Sequence, residues 1–421
     1  MDGRAARALR GAAWPLPRAA HHWRRMTHTE RTYYLVTCLY RVAWAALGPT
    51  YALFLLSRGL DLLELNLVLA TYLVTTCLFE IPTGAVADVF GRKASFVLSC
   101  LVRALAFGMY YFAETFPAFL VAEFVDAIGT TLATGALDAW AVDGVRAEGD
   151  RRPADRLFAR GQIIGQTSMI LSGLLVALWA ADDLSRAWLV GSGGFLLCAA
   201  VGALTMREPP RTAAATAASP ASVAAMMRAA LRAVREQPAM RGLCLMTLVT
   251  MFATMPAFHM WQPRLATLGG GGAELTGWIW VGLSLASLFG SALIPRLVHR
   301  LGRPRALTLA LAWRAVTLFV AGAAGGFALA TLAFILQEIA FGFSEPVLQA
   351  WMSEHASAEQ RATVLSVRSM SFTLGGATGL VCLGWLALLT DIGVAWMVSA
   401  ALIALAAPGF LLVRARTIAS A

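Results

Sequence analysis

Seven charged side chains lie where the sequence is otherwise apolar, and their chemistry needs an explanation. Arg41, Arg103 and Arg314 sit inside long apolar runs, as do Glu123, Asp126, Glu338 and Glu345. At the centre of a bilayer a charge costs at least about 2.5–3.5 kcal/mol, so each needs a partner or a purpose. Glu123 and Asp126 fall on one helical face at i, i+3. A carboxyl whose surroundings change can take up or release a proton. Asp126 or Glu123 facing Arg41 could therefore exchange a proton for a bound molecule, with Glu338 and Glu345 as alternates. Arg103 and Arg314 are expected to pair with Asp126 and Glu338 and hold helices together, a transport role being the competing reading. His259, beside Met260 and Trp261, reads as an interface residue that could also titrate near neutral pH.

Other chemistries are excluded. The chain's one lysine is Lys93, followed by Ala94, so there is no nucleotide-binding Walker loop. No Ser/His/Asp signature and no metal-ligand spacing occurs, so neither an enzyme nor a cofactor is expected. The six cysteines (Cys38, Cys77, Cys100, Cys198, Cys244, Cys382) all fall in apolar runs and read as reduced, buried thiols. The net charge of +10 is spread in short clusters between apolar runs, which argues against nucleic acid as a partner.

The elements that must carry these charges are helices in lipid. Of 421 residues, 58% are hydrophobic and 14% charged, too few charges to cover a water-soluble surface of this size. A bilayer core needs about 20 apolar residues per helix. Such runs occur near 33–56, 62–86, 94–113, 117–142, 162–181 and 187–206, then near 242–263, 275–298, 306–325, 328–352, 364–389 and 392–413. The expectation is an all-α integral membrane protein of twelve transmembrane helices in two bundles of six. Loops on one side hold 28 of the 34 basic residues and those on the other side three. The positive-inside rule then puts both termini in the cytoplasm and the chain in the inner, or plasma, membrane.

Five segments follow: a basic extension (1–32), a bundle (33–206), a linker with an amphipathic helix (207–241), a second bundle (242–413) and a short tail (414–421). The extension lacks the apolar core of a cleavable signal and reads as an extra segment, with Met26 a plausible alternative start.

The halves repeat at a fixed offset of 211. Gly91-Arg92 recurs as Gly302-Arg303, Arg103-Ala104 as Arg314-Ala315, Ala139-Trp140 as Ala350-Trp351, and Asp143 as Glu354. Earlier in each half Pro49 and Pro256 differ by 207, and at that offset Arg41 has no counterpart, since Leu248 holds its repeat position. Parallel six-helix repeats are the architecture of secondary transporters that rock two bundles around a midplane site.

The loop between the second and third spans reads Gly84-Ala-Val-Ala-Asp88-Val-Phe-Gly91-Arg92-Lys93. It resembles the signature loop of the major facilitator superfamily, G-x-x-x-D-x-x-G-R-[KR], and the topology matches over essentially the whole chain. The second half carries a degraded copy with His299 in the Asp88 position. The resemblance implies alternating access without ATP. The run Gly135-Ala-Leu-Asp138-Ala-Trp140-Ala-Val-Asp143, with Trp261-Gln262-Pro263, is similar to macrolide- and tetracycline-type drug exporters. The fifth span lacks the Gly-Pro element of many drug/proton antiporters, and the fourth lacks their arginine.

Glu80, before Pro82, belongs to an expected gate, and Asp138, Asp143 and Glu354 could latch onto Arg92, Lys93 or nearby arginines, ordinary helix-end charges in water being the competing reading. Proton-coupled export of a small amphipathic compound by a monomer in the lipid bilayer is the expected function. A nutrient-uptake symporter, a lipid transporter and a transport-inactive sensor remain open on the same features.

Overall fold

A computed structural model describes residues 26–149, 155–179, 183–208, 238–269, 273–354 and 361–413. The basic extension up to residue 25, most of the linker with its expected amphipathic helix, the run 270–272 and the tail lie outside the described residues.

The described chain is helical throughout. The first half comprises α1 (His28–Ala45), α2 (Tyr51–Ser57), α3 (Leu62–Phe90), α4 (Arg92–Phe112), α5 (Phe116–Ala133), α6 (Ala136–Ala147), α7 (Asp155–Trp179) and α8 (Ser185–Thr205). The second comprises α9 (Pro238–His259), α10 (Trp261–Thr267), α11 (Ala273–Leu301), α12 (Arg303–Ala323), α13 (Phe327–Glu354), α14 (Arg361–Leu389) and α15 (Ile392–Ala406). Local sequence sets the boundaries. Thr27 with Glu30 and Asp61 with Glu64 form capping boxes that satisfy the first amides of α1 and α3. Gly91 (φ 103°) and Gly302 (φ 72°) adopt the left-handed backbone that lets α3 turn into α4 and α11 into α12. The repeat visible in the sequence is thus a repeat of backbone geometry.

Among the described residues, ten stretches are long and apolar enough to cross a membrane. The other two expected spans are helical where expected but less apolar. α1 leads into α2 through a break at Ala46–Thr50, and α7 carries Arg160, Gln162 and Gln166. The first, fourth and seventh expected spans, read from sequence as continuous, are each two helices. The breaks fall at Pro49, at Gly135 (φ 73°) and at Met260.

Within each half the packing pattern is the same. α4 packs on α8 and α5, and α3 on α5; correspondingly α12 packs on α15 and α13, and α11 on α13. Each half has its own buried core. Trp188 stacks on Tyr110 at 3.9 Å in the first, and Trp396 on Phe334 at 4.8 Å in the second. Leucines such as Leu204 and Leu405 face outward, as expected where lipid is the solvent. The halves meet along two seams, α3 with α14 and α7 with α11. Along them Gly384 lies on Asn66, Gly376 on Leu73 and Gly173 on Trp280. These contacts sit toward the face opposite the signature loop.

Candidate functional site

Between the halves lies a cavity of about 420 Å³, walled by residues of both. Its surface is aromatic, with Tyr51, Tyr72, Tyr110 and Trp188 from the first half and Phe258, Trp261, Trp280 and Phe341 from the second. A second cavity of about 760 Å³ lies on the signature-loop side and shares Trp44, Tyr72 and Arg103 with it. The two cavities are therefore neighbours, one toward the signature-loop face and one deeper between the halves.

On the side away from the signature loop, one side chain bridges the two halves beside the central cavity. Gln262, 3% exposed on α10, accepts a hydrogen bond from the Ala52 amide at 2.8 Å and donates to the Gly48 carbonyl at 2.5 Å. Gly48 and the Ala52 amide border the break between α1 and α2, where helix ends leave backbone groups without intrahelical partners. Gln262 supplies those partners from the other half of the molecule. Trp280 packs so closely on Gly48 that a Cβ there would meet its ring at 2.5 Å.

Four buried charges line the central cavity. Arg103 and Asp126, 2% and 6% exposed, form a two-pronged pair with Nε–Oδ1 at 2.8 Å and Nη2–Oδ2 at 3.0 Å. The remaining Arg103 nitrogen donates to the Tyr40 hydroxyl at 2.9 Å, and the guanidinium lies 4.6 Å from the Phe195 ring centre. Each guanidinium nitrogen of Arg103 therefore has a partner. Glu123, 5% exposed, accepts from the Tyr51 hydroxyl at 3.1 Å and from the Tyr110 hydroxyl, both on Oε2, with no ion pair among the described residues. Arg314 donates from Nε to Gln337 Oε1 at 2.9 Å, and Gln337 in turn donates to Glu338 at 2.6 Å.

Several expectations change. Neither Asp126 nor Glu123 faces Arg41. Asp126 is committed to Arg103 and Glu123 to two tyrosines, while Arg41 lines the second cavity with Asp138. Arg314 reaches Glu338 only through Gln337, because neighbouring residues on a helix point about 100° apart and Gln337 holds the facing position. Glu345 pairs with Arg368 of α14 and does not border the central cavity.

The signature loop is bound within its own half. Arg92 pairs with Asp143 and donates to the Ala139 carbonyl at 2.8 Å. Glu208 accepts from the Arg92 and Lys93 amides, each at 2.9 Å, and so caps α4 where Gly91 supplies no side chain. The Lys93 amine goes to the Ala203 carbonyl, not to an acid. Asp138 accepts from Tyr33 at 2.9 Å. Glu80 is exposed on α3, and the Gly84 position has open space around it. The side chains of Asp88 and Glu354 lie outside the described ones. Sequence reading missed Gln262, Tyr51 and Tyr110, because nothing local marks a glutamine as a clamp or a tyrosine as a carboxyl partner.

Known proteins can now be set beside this geometry. A family description, the Major Facilitator Superfamily, matches residues 33–271 and 266–420. The chain belongs to the Major Facilitator Superfamily. Its members are membrane transporters, not enzymes, and the multi-pass helical fold is theirs. The chain is 26% identical over 108 residues to an uncharacterized MFS-type transporter, YxaM, of Bacillus subtilis (strain 168). That match spans 26% of this chain and 27% of the relative, about a quarter of its length.

Solved structures share the superfamily fold. The nucleoside transporter NupG matches with a TM-score of 0.78 at 14% identity, over 92% of this chain and 99% of that one. A bacterial homolog of the human lysosomal transporter Spinster, in an inward-facing and occupied conformation, matches at 0.72 and 15% identity, over 91% and 96%. A D-xylose–proton symporter matches at 0.71 and 16% identity, over 91% and 96%. At these identities the likeness is one of fold alone.

Proposed function

We propose that this chain is a secondary active transporter that works by alternating access. It exports a small amphipathic compound across the inner membrane in exchange for protons, as a monomer with both ends in the cytoplasm. The observation that carries this reading is Glu123, a buried carboxyl on the wall of a cavity built by both halves, held by two tyrosine hydroxyls and by no ion pair among the described residues. Such a group can change protonation as the cavity changes the side from which it is reached. Asp126, held by two bonds from Arg103, is instead a bundle-fixing ion pair. The aromatic wall supports an amphipathic occupant, since a few placed polar groups in an apolar cavity set orientation.

The test is accumulation of fluorescent amphipathic dyes and antibiotics in an efflux-deficient bacterial host. Expression should lower accumulation of at least one compound, and a protonophore or Glu123→Gln should restore it. Unchanged accumulation across the panel, with the protein verified in the membrane, would overturn export. Lowered accumulation that ignores the protonophore would overturn proton coupling.

A further inference from the structure

The repeat makes the two walls of the central cavity comparable residue by residue, and they differ in charge. Arg103 in α4 and Arg314 in α12 are related by the offset of 211, and both direct Nε at a residue 23 positions on. In the first half that residue is Asp126, a carboxylate that neutralises its arginine. In the second it is Gln337, which accepts the same hydrogen bond at nearly the same distance but carries no charge. Arg314 is 4% exposed, lines the cavity, and makes no hydrogen bond through either Nη among the described residues. Glu338 lies behind Gln337, and Glu345 is taken up by Arg368; both carboxyls act on Arg314 through space, but neither borders the cavity or forms an ion pair with it among the described residues.

The acid shows the opposite asymmetry. Glu123 has Phe334 at its repeat position. Its Oε2 takes both tyrosine hydroxyls, and no hydrogen bond is made to Oε1 among the described residues. The first-half wall therefore offers a carboxylate without an ion pair, and the second-half wall a guanidinium without a direct one. Trp188, Trp261 and Trp280 line the same cavity. A buried charge left unmatched is costly, and a ligand of opposite sign at each wall relieves that cost at both.

We infer that the cavity takes zwitterionic amphipathic molecules, with an ammonium group against Glu123 and a carboxylate or similar anion against Arg314. Their apolar or aromatic body lies on the tryptophan wall. This rests on the transport reading above and narrows it to one class of substrate. A molecule anchored at both ends ties the two halves together. The ammonium and a proton compete for Glu123, while Arg314 reads a feature that a plain organic cation lacks.

The experiment uses the purified full-length protein in lipid nanodiscs and ligand-induced shifts in melting temperature. Matched triads whose charges stand at opposite ends of several aromatic bodies serve as probes, for example 4-propylbenzylamine, 3-(4-methylphenyl)propionate and 3-[4-(aminomethyl)phenyl]propionate. The zwitterion of at least one triad should bind about tenfold or more tighter than its cation and its anion. Glu123→Gln should remove the advantage over the anion, and Arg314→Gln the advantage over the cation. Gln337→Asp gives a variant with a milder change, because it rebuilds the pair seen at Arg103 and Asp126. It should shift preference toward the cation while the unliganded melting temperature holds or rises. Binding of cations equal to or tighter than zwitterions in the wild type, insensitivity to Arg314→Gln, or no zwitterion bound in any triad would each overturn the inference. Dye export that a protonophore abolishes would survive any of those results, so the two readings fail separately.

Discussion

Gln262 accepts from the Ala52 amide at 2.8 Å across 210 positions of sequence, and this bond joins the two halves at the face opposite the signature loop. The same side chain donates to Gly48, so it bridges both sides of the α1–α2 break. Ala52 adjoins Tyr51, which donates to Glu123. One short helix therefore links the closure to the buried carboxyl. Gln262→Leu keeps the side chain's bulk but strands a buried amide and a carbonyl, at a cost of about 1–3 kcal/mol each. The variant should populate the form open at that face more often. A cysteine at Ala45, on the cavity wall, should react several-fold faster with an impermeant maleimide added from that face. Equal labelling rates would show that closure does not depend on this residue.

The contrast between Arg103–Asp126 and Arg314–Gln337 predicts unequal stability losses. Removing the carboxylate with Asp126→Ala leaves a buried guanidinium with no counter-charge, which costs about 3–5 kcal/mol. Gln337→Ala removes one neutral acceptor, at about 1–3 kcal/mol. The melting temperature in one detergent should fall clearly further for Asp126→Ala. A double replacement, Arg103→Met with Asp126→Leu, should recover much of the loss, because burying neither charge avoids the desolvation cost. If Gln337→Ala proves the more damaging, the assignment of Asp126 as a structural partner fails.

The parts of this fold that were legible were those that repeat. The offset of 211 located both glycine turns and both arginines, and two opposite charges buried in adjoining spans announced the Arg103–Asp126 pair. Gln337 holds the repeat position of Asp126 and Glu338 carries the charge beside it; helical geometry gives the facing position, and the hydrogen bond from Arg314, to the neutral Gln337. Gln262 was visible only as part of a short motif. Its partners are backbone atoms freed by a helix break in the other half, and that juxtaposition exists only in three dimensions. Arg41 reads in the sequence as an unrepeated buried charge, but it is exposed and lines the second cavity, as Asp138 does.

Acid sensitivity should localise partly to Glu148, just past the end of α6. Burial works against its charge, but hydrogen bonds from the Thr29 and Thr27 hydroxyls and the Thr29 amide outweigh burial and hold the carboxyl below its usual range. A carboxyl with a lowered folded value contributes stability above its unfolded value, about 4.3, and loses it as pH falls through the folded one. The group is exposed, so screening keeps the contribution at most about 1 kcal/mol. Glu148→Gln should melt below the wild type at pH 7, and the gap should close by about pH 3. A gap that persists at low pH would mean that the carboxylate charge is not what fastens α1 to α6.

Helix contact in the second half depends on glycines that leave no room for a methyl group. A Cβ on Gly342 of α13 would overlap the Ser287 carbonyl of α11, and one on Gly290 of α11 would overlap the Ile339 carbonyl of α13. Gly375 and Gly379 of α14 meet the Leu248 and Phe252 carbonyls of α9 in the same way. In lipid there is no hydrophobic drive between helices, so such close approach supplies much of the association through packing. The obstacle in each case is backbone, which cannot rotate aside. Gly342→Ala and Gly379→Ala should therefore exceed the usual overpacking cost of about 1–3 kcal/mol and sharply reduce recovery of monodisperse protein. Gly108→Ala in α4 is the control, since a methyl group there meets nothing within 4 Å. Alanine is favoured over glycine inside a helix by about 1 kcal/mol, so that variant should match or exceed the wild type in melting temperature. Normal recovery of Gly379→Ala would mean that α9 and α14 can separate without penalty, and the close seam would then be no determinant of the fold.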